Sequence, residues 1–354
     1  MSSAFTMMEL LEKTVKAEAS DLHLTVGQPP MVRVYGTLMP LDYPVLRRED
    51  IKELVYPILE ERQREEIERD WELDFSYSVP GLSRFRGSAM IQRGSLDVVL
   101  RVVPWDIPKM ESLGLPAVVK DLARLPRGLV LVTGPTGSGK STTLASIIGL
   151  INQERALNII TIEHPIEFLH SHNKSIIRQR EVGSDTHSFG EALKHMLRHD
   201  PDVILIGEMR DQESVAIALT AAETGHLVFS TLHTQTAPLA INRIVDVFPD
   251  SLRNYIRLQL AGSLQAVLAQ QILPRADGKG RVAAIEVLMN TPAVSNMIRE
   301  GNEHHLYTAM QTGRSFGMQT MDSALADLCL RGIVSRDEAL SRSVNRVELE
   351  RALR

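Results

Sequence analysis

The sequence predicts an α/β protein of two domains: a smaller α+β domain, then a larger one built on a mostly parallel, helix-covered sheet. Three observations predict this. After residue 128, short apolar runs alternate with helical runs, the pattern that crossover helices impose on a parallel sheet. Before residue 104 there are β-rich segments and one charged helical run, without that alternation. Between the two, residues 104–116 carry three prolines and a glycine, which suits a linker.

In the first domain, residues 22–24 and 31–41 read as strands around Gly27-Gln28-Pro29-Pro30, and residues 48–68 as a charged helix. Residues 73–103 read as several short strands, with Pro80-Gly81 as one turn. If Arg93-Gly94 is a two-residue hairpin turn, Arg86 lies directly across from Arg101 on one face. In the second domain, strands are expected at 129–133, 158–163, 203–208 and 227–232. Helices are expected at 142–151, 188–199, 213–223 and 239–245, and the chain beyond 291 turns mainly helical. The expected organisation is therefore 1–103, a linker at 104–116, 117–290 and a helical region at 291–354.

Composition narrows the function classes. With 354 residues, 44% hydrophobic and 23% charged, the chain is an ordinary globular protein with room for two domains. Its net charge of -5 disfavours a nucleic-acid footprint. Cys329 is the only cysteine, which excludes an intrachain disulfide and a four-cysteine zinc module, and it reads as a small core residue. No apolar stretch approaches the roughly 18 residues of a membrane span, and Glu9 and Glu12 interrupt the start of the chain, so a cytoplasmic location is expected.

The stretch Gly134-Pro135-Thr136-Gly137-Ser138-Gly139-Lys140-Ser141-Thr142 sits between an apolar strand and a helical run, the setting that gives G-x-x-x-x-G-K-[ST] its meaning. Glycines let backbone N–H groups converge on phosphates at a positive helix terminus, within reach of Lys140, while Ser141 can hold a Mg²⁺. This predicts a site for a nucleoside triphosphate, ATP with Mg²⁺. Such loops serve many enzymes, so the neighbouring residues decide.

Glu208 follows the buried run 203–206 and is placed to orient or deprotonate water, or to bind Mg²⁺. Gly207 stands where P-loop strands usually carry Asp. Glu163 ends the 158–163 strand as a second candidate for metal or water. His233, just past the 227–232 strand, can reach a γ-phosphate, whereas His226 at its start is either a nucleotide contact or structural. Arg86 and Arg101, two like charges facing each other, call for an anion nearby, and a nucleotide phosphate from this or a neighbouring subunit is the economical one. Two solvated arginines in another register are the alternative.

The motifs GPTGSGKST (134–142), TIEHPIEF (161–168), QREVGSDT (179–186), DPDVILIGEMRD (200–211) and AAETGHLVFSTLHT (221–234) resemble the PilT/PilU group of retraction motors in the secretion ATPase superfamily. The flanks SDLHLTVGQPPMVRVYGTL (20–38) and PAVSNMIREG (292–301) extend the resemblance over nearly the whole chain. It implies a PAS-like domain followed by a RecA-like ATPase domain with a helical C-terminal region. It also implies a homohexamer that hydrolyses ATP to retract type IV pili, at an inner-membrane platform protein and alongside a second retraction ATPase in some systems. No nucleic-acid partner is implied. In this group Glu208 is the catalytic carboxylate of Walker B, Glu163 lies in the Asp box, His226 and His233 in the His box, and Arg86 and Arg101 match the arginine fingers. His164 departs from the group's Asp, which puts metal or water positioning around Glu163 in question. Ser295 and Met297 depart from the C-terminal motif. Assembly or type II secretion ATPases, an accessory subunit of low activity and a DNA translocase are the competing readings.

Overall fold

The computed structural model describes residues 5–104 and 106–354. The chain forms two compact units, one reaching Asp106 together with Pro165–Leu169, the other comprising Ile107–His164 and His170–Arg354.

The first unit holds a six-stranded antiparallel sheet: β1 (Asp21–Leu24), β2 (Met31–Val34), β3 (Thr37–Pro40), β4 (Glu72–Val79), β5 (Ser83–Gln92) and β6 (Ser95–Val103), in the order β3-β2-β1-β6-β5-β4. Period-two alternation sends Leu22, Leu24, Phe85, Val98 and Leu100 to one face, where they share a core with Leu10, Leu11, Ile51 and Ile67 of the flanking helices. The single helix expected at 48–68 is two, Arg48–Val55 and Glu61–Asp70, parted by a 3₁₀ turn at Tyr56–Ile58. Pro57 lacks the N–H that a continuous helix needs there. Arg93 and Gly94, with φ of 50° and 74°, make the tight β5–β6 turn.

The second unit is organised by a seven-stranded sheet. Its strands are β7 (Gly128–Thr133), β8 (Asn158–Glu163), β9 (Ile176–Glu181), β10 (Val203–Ile206), β11 (Leu227–Leu232), β12 (Leu264–Pro274) and β13 (Arg281–Met289). They are ordered β13-β12-β7-β11-β10-β8-β9, parallel except for β13. Leu129 and Leu131 of β7 point to one face, packed by the helices Phe189–Met196, Gln212–Glu223 and Ala237–Asp246. Val130 and Val132 point to the other, packed by Lys140–Glu154. Both faces are covered, so β7 is buried throughout.

Two expected boundaries shift. Residues 107–116 are docked on the second unit rather than forming a free linker. The Met110 side chain joins the core of Leu144, Ile147 and Ile148, and the Pro108 carbonyl accepts the Ser146 hydroxyl. Nor is there a break at 291, because Val294, Ile298, Leu306 and Met310 complete the same core as Leu129 and Ile204. The last helices, from Met321 to Ala352, close over Leu273 and Ala284 at the β12–β13 side, with Cys329 packed partly buried beside them. No helix among the described residues is long and apolar enough to cross a membrane.

Candidate active site

The residues singled out in the second unit gather at the carboxyl edge of its parallel strands, with one exception. β7 ends in the phosphate loop, and its neighbour β11 ends before His233. β10 comes next and ends before Gly207-Glu208, and then β8 ends in Glu163. With strands about 4.8 Å apart, His233, Glu208 and Glu163 lie on strands roughly 5, 10 and 14 Å from β7. The exception is His226. It precedes β11 at the opposite, amino edge, roughly 20 Å away at about 3.3 Å per residue, with its Nδ1 2.9 Å from the Ala221 carbonyl. It is a helix-to-strand fastener, outside this chain's phosphate-loop cluster.

The phosphate loop is braced on β12. A Cβ on Gly134 would come within 2.3 Å of the Gln270 carbonyl, and one on Gly139 within 2.9 Å of the Gln270 amide nitrogen. The Gln270 side chain, 2% exposed, also accepts the Thr143 hydroxyl at 2.8 Å. Lys140 is folded back over the loop, its ammonium bonded to the carbonyls of Gly134 (2.8 Å) and Pro135 (3.1 Å). Ser138 Oγ is buried without a partner beneath Gly134. Ser141, half-buried in the first turn of the helix Lys140–Glu154, has a hydroxyl without a partner among the described residues.

Each carboxylate has its own support. Glu163 Oε1 accepts the Thr161 hydroxyl at 2.6 Å and the Gln179 amide at 3.1 Å, from residues paired across β8 and β9. That support does not involve His164, which is exposed. Gly207 allows the close approach of β10 to β8. Its N–H donates to the Ile162 carbonyl at 2.7 Å, and a Cβ there would lie 3.2 Å from Glu163 Cα. Glycine in place of the usual Asp thus draws the ends of the two acidic strands together. Glu208 Oε2 pairs with Arg210 at 2.7 Å and Oε1 with His233 Nε2 at 3.2 Å. Burial pushes its carboxyl up, but the Arg210 guanidinium and His233 together outweigh burial and hold it below the ordinary value. It is an anion at neutral pH, suited to accept a proton from water. The turn carrying His233 is fixed to β7, because the buried Thr133 hydroxyl donates to the Thr234 carbonyl (2.7 Å) and accepts its N–H (2.9 Å).

In the first unit, β5 and β6 pair Arg86 with Arg101, both exposed. Beside Arg101 lies an internal anion, Asp21, whose Oδ1 is 2.7 Å from Arg101 Nε and whose side chain is 4% exposed. The Arg86 side chain has no hydrogen bond or ion pair among the described residues.

Sequence reading missed Gln270, Thr133, Gln179 and Arg210. For Gln270, Thr133 and Gln179 the available signal was a polar residue inside an otherwise apolar or site-bearing strand, as in Ala269-Gln270-Gln271-Ile272.

A loop that cradles phosphates, with carboxylates lined up on the strands beside it, is the arrangement of a P-loop ATPase, and the model of type II/IV secretion system proteins matches residues 82–314. The chain belongs to the type II/IV secretion ATPase family. This secretion ATPase is 49% identical over 331 residues to the type IV pilus retraction ATPase PilT of Pseudomonas aeruginosa, covering 94% of this chain and 96% of that one. It is 44% identical to the type IV pilus ATPase PilU of the same organism, over 94% and 87%. A crystal structure of the pilus retraction motor PilT with bound ADP superposes with a TM-score of 0.91 at 47% identity, covering 98% of this chain and 99% of that one. The ATPase therefore falls in the PilT/PilU group, with the RecA-like and PAS-like architecture that the sequence implied.

Proposed function

We propose that this secretion ATPase is the subunit of a homohexameric motor that hydrolyses ATP to retract type IV pili, acting from the cytoplasm on an inner-membrane platform protein. The observation that carries the reading is the line-up of phosphate loop, His233, Glu208 and Glu163 along one sheet edge, in a chain similar to a retraction ATPase over nearly its full length.

In this reading the Lys140 ammonium exchanges the carbonyls of Gly134 and Pro135 for β- and γ-phosphate oxygens, which are stronger, anionic acceptors. Glu208 holds the attacking water and takes its proton, while His233 keeps that carboxylate oriented. Mg²⁺ fits the donors present. Ser141 offers a hydroxyl without a partner, and Glu163 and Glu208 reach a metal through water; no cage of three acidic, His or Cys side chains exists among the described residues, as suits an ion held largely by phosphates. When bound, it neutralises charge on the transferred phosphoryl group. Arg86 and Arg101 serve as arginine fingers that complete a site.

The assembly-motor reading shares all of this chemistry and differs in direction. The test is pilus abundance and twitching in a deletion strain complemented with wild type or Lys140→Ala. Hyperpiliation cured only by wild type supports retraction, and loss of pili in the deletion strain overturns it in favour of assembly.

A further inference from the structure

We infer that Glu286 is a positioning residue for nucleotide hydrolysis, its buried carboxylate fastening the turn that carries His233 to the C-terminal helices. The inference rests on the hydrolysis proposed above. Glu286 lies on β13, 1% exposed, opposite Ala269 of β12, which in turn pairs with Thr133, the last strand residue before the phosphate loop. Its two oxygens serve two helices. Oε1 accepts the N–H of Ala237 at 2.7 Å, and Oε2 that of Met321 at 3.3 Å. These residues begin the helices Ala237–Asp246 and Met321–Leu330, so one carboxyl, pushed up by burial and drawn back by these two N–H donors, sits between two positive helix ends.

Hydrogen bonds continue in both directions. Toward the site, three residues back from Ala237, Thr234 is held by the Thr133 hydroxyl, and His233 beside it contacts Glu208. Away from it, Asp322 accepts the N–H groups of Val344 (2.9 Å) and Asn345 (2.8 Å) and the Tyr307 hydroxyl (3.3 Å). Thr133, Thr234, Glu286 and Asp322 thus link the phosphate-loop strand to the last helices. A displacement of the His233 turn is felt at Met321 because both N–H groups share one carboxylate. A glutamine there can accept only one of them and turns its NH₂ toward the other donor.

A residue that merely caps two helices would affect stability alone, so the test must read communication. Hydrogen exchange of the full-length protein is followed with and without a non-hydrolysable ATP analogue and Mg²⁺. In wild type the analogue slows exchange at residues 134–154 and also, by at least about fivefold, at the first amides of Met321–Leu330. Glu286→Gln keeps the first response and loses the second, and its kcat falls about tenfold while analogue affinity stays within about twofold. Thr133→Val leaves both helix caps intact, yet loses the same remote response; if Glu286→Gln does not fold, this variant decides alone. A remote response that survives in the folded variants, or is missing in wild type while 134–154 responds, overturns the inference. No response at 134–154 in wild type overturns the nucleotide site itself, and the inference falls with it.

Discussion

Replacing Gln270 by Leu tests whether the phosphate loop depends on a polar brace from β12. The substitution keeps side-chain size near the loop and removes the acceptor of the Thr143 hydroxyl, which is 1% exposed. Removing one partner and stranding a buried hydroxyl costs roughly 1–3 kcal/mol, so a loss of that size is expected. For a unit of this size that lowers the melting temperature by roughly 2–12 °C. The control is Thr143→Val in the same chain. With both partners apolar no hydroxyl is stranded, and most of the loss returns. Thermal melts of the nucleotide-free single and double variants give the answer. A double variant no more stable than Gln270→Leu refutes the reasoning, because the cost then lies in shape rather than in the unpaired hydroxyl.

Three further outcomes are expected. Glu208→Gln keeps the shape of the acceptor and removes its basicity, so kcat falls by at least about a hundredfold while ADP affinity is kept; phosphate release at a normal rate defeats the assignment. Arg210→Ala takes away the 2.7 Å partner of Glu208 and lowers kcat about tenfold, with most of it restored by Arg210→Lys; equal losses in both variants argue against a charge effect. Burial raises the Asp21 carboxyl, but Ser20 and Arg101 outweigh it and leave it below its ordinary value. Its contribution is therefore complete above the unfolded value of about 3.9 and fades as pH falls through the lower folded value. Asp21→Asn should flatten acid unfolding of the first unit followed by circular dichroism, and an unchanged acid profile contradicts this.

What the sequence made legible was whatever a local pattern determines. The phosphate loop, the strands at 158–163 and 227–232 and the Arg93-Gly94 turn each follow from a few adjacent residues. β12 and β13 were not foreseen because the helix Asp250–Ser263 runs directly into β12, with Gly262 and Ser263 still helical. β9 carries charges, Arg178 and Arg180, that only an edge position tolerates. The site divides the same way. Glu208 and Glu163 are visible as carboxylates ending apolar runs, whereas Gln270 and Thr133 matter only because β12 and β11 flank β7, a fact of strand order. His226 stands apart from His233 for the opposite reason, since closeness in sequence becomes the full length of a strand in space.

The two arginines illustrate how a correct register can carry an incomplete inference. Pairing Arg86 with Arg101 asked for an anion, and the protein supplies one internally for Arg101 alone, because β1 runs beside β6 and puts Asp21 opposite it. As fingers the two are then unequal. Arg86 offers its guanidinium without giving up a partner, whereas Arg101 must share or leave a carboxylate that is 4% exposed and that keeps Ser20 at 2.7 Å. Arg86→Ala should therefore lower turnover with the stability of the first unit unchanged. Arg101→Ala should lower both, since it also leaves Asp21 short of a counter-charge. Melting temperature and steady-state ATPase rate, measured on the same preparations, separate the two effects. If Arg101→Ala melts like wild type, the Asp21 pair carries no structural load. Arg101 is then as available to a phosphate as Arg86, and the asymmetry disappears.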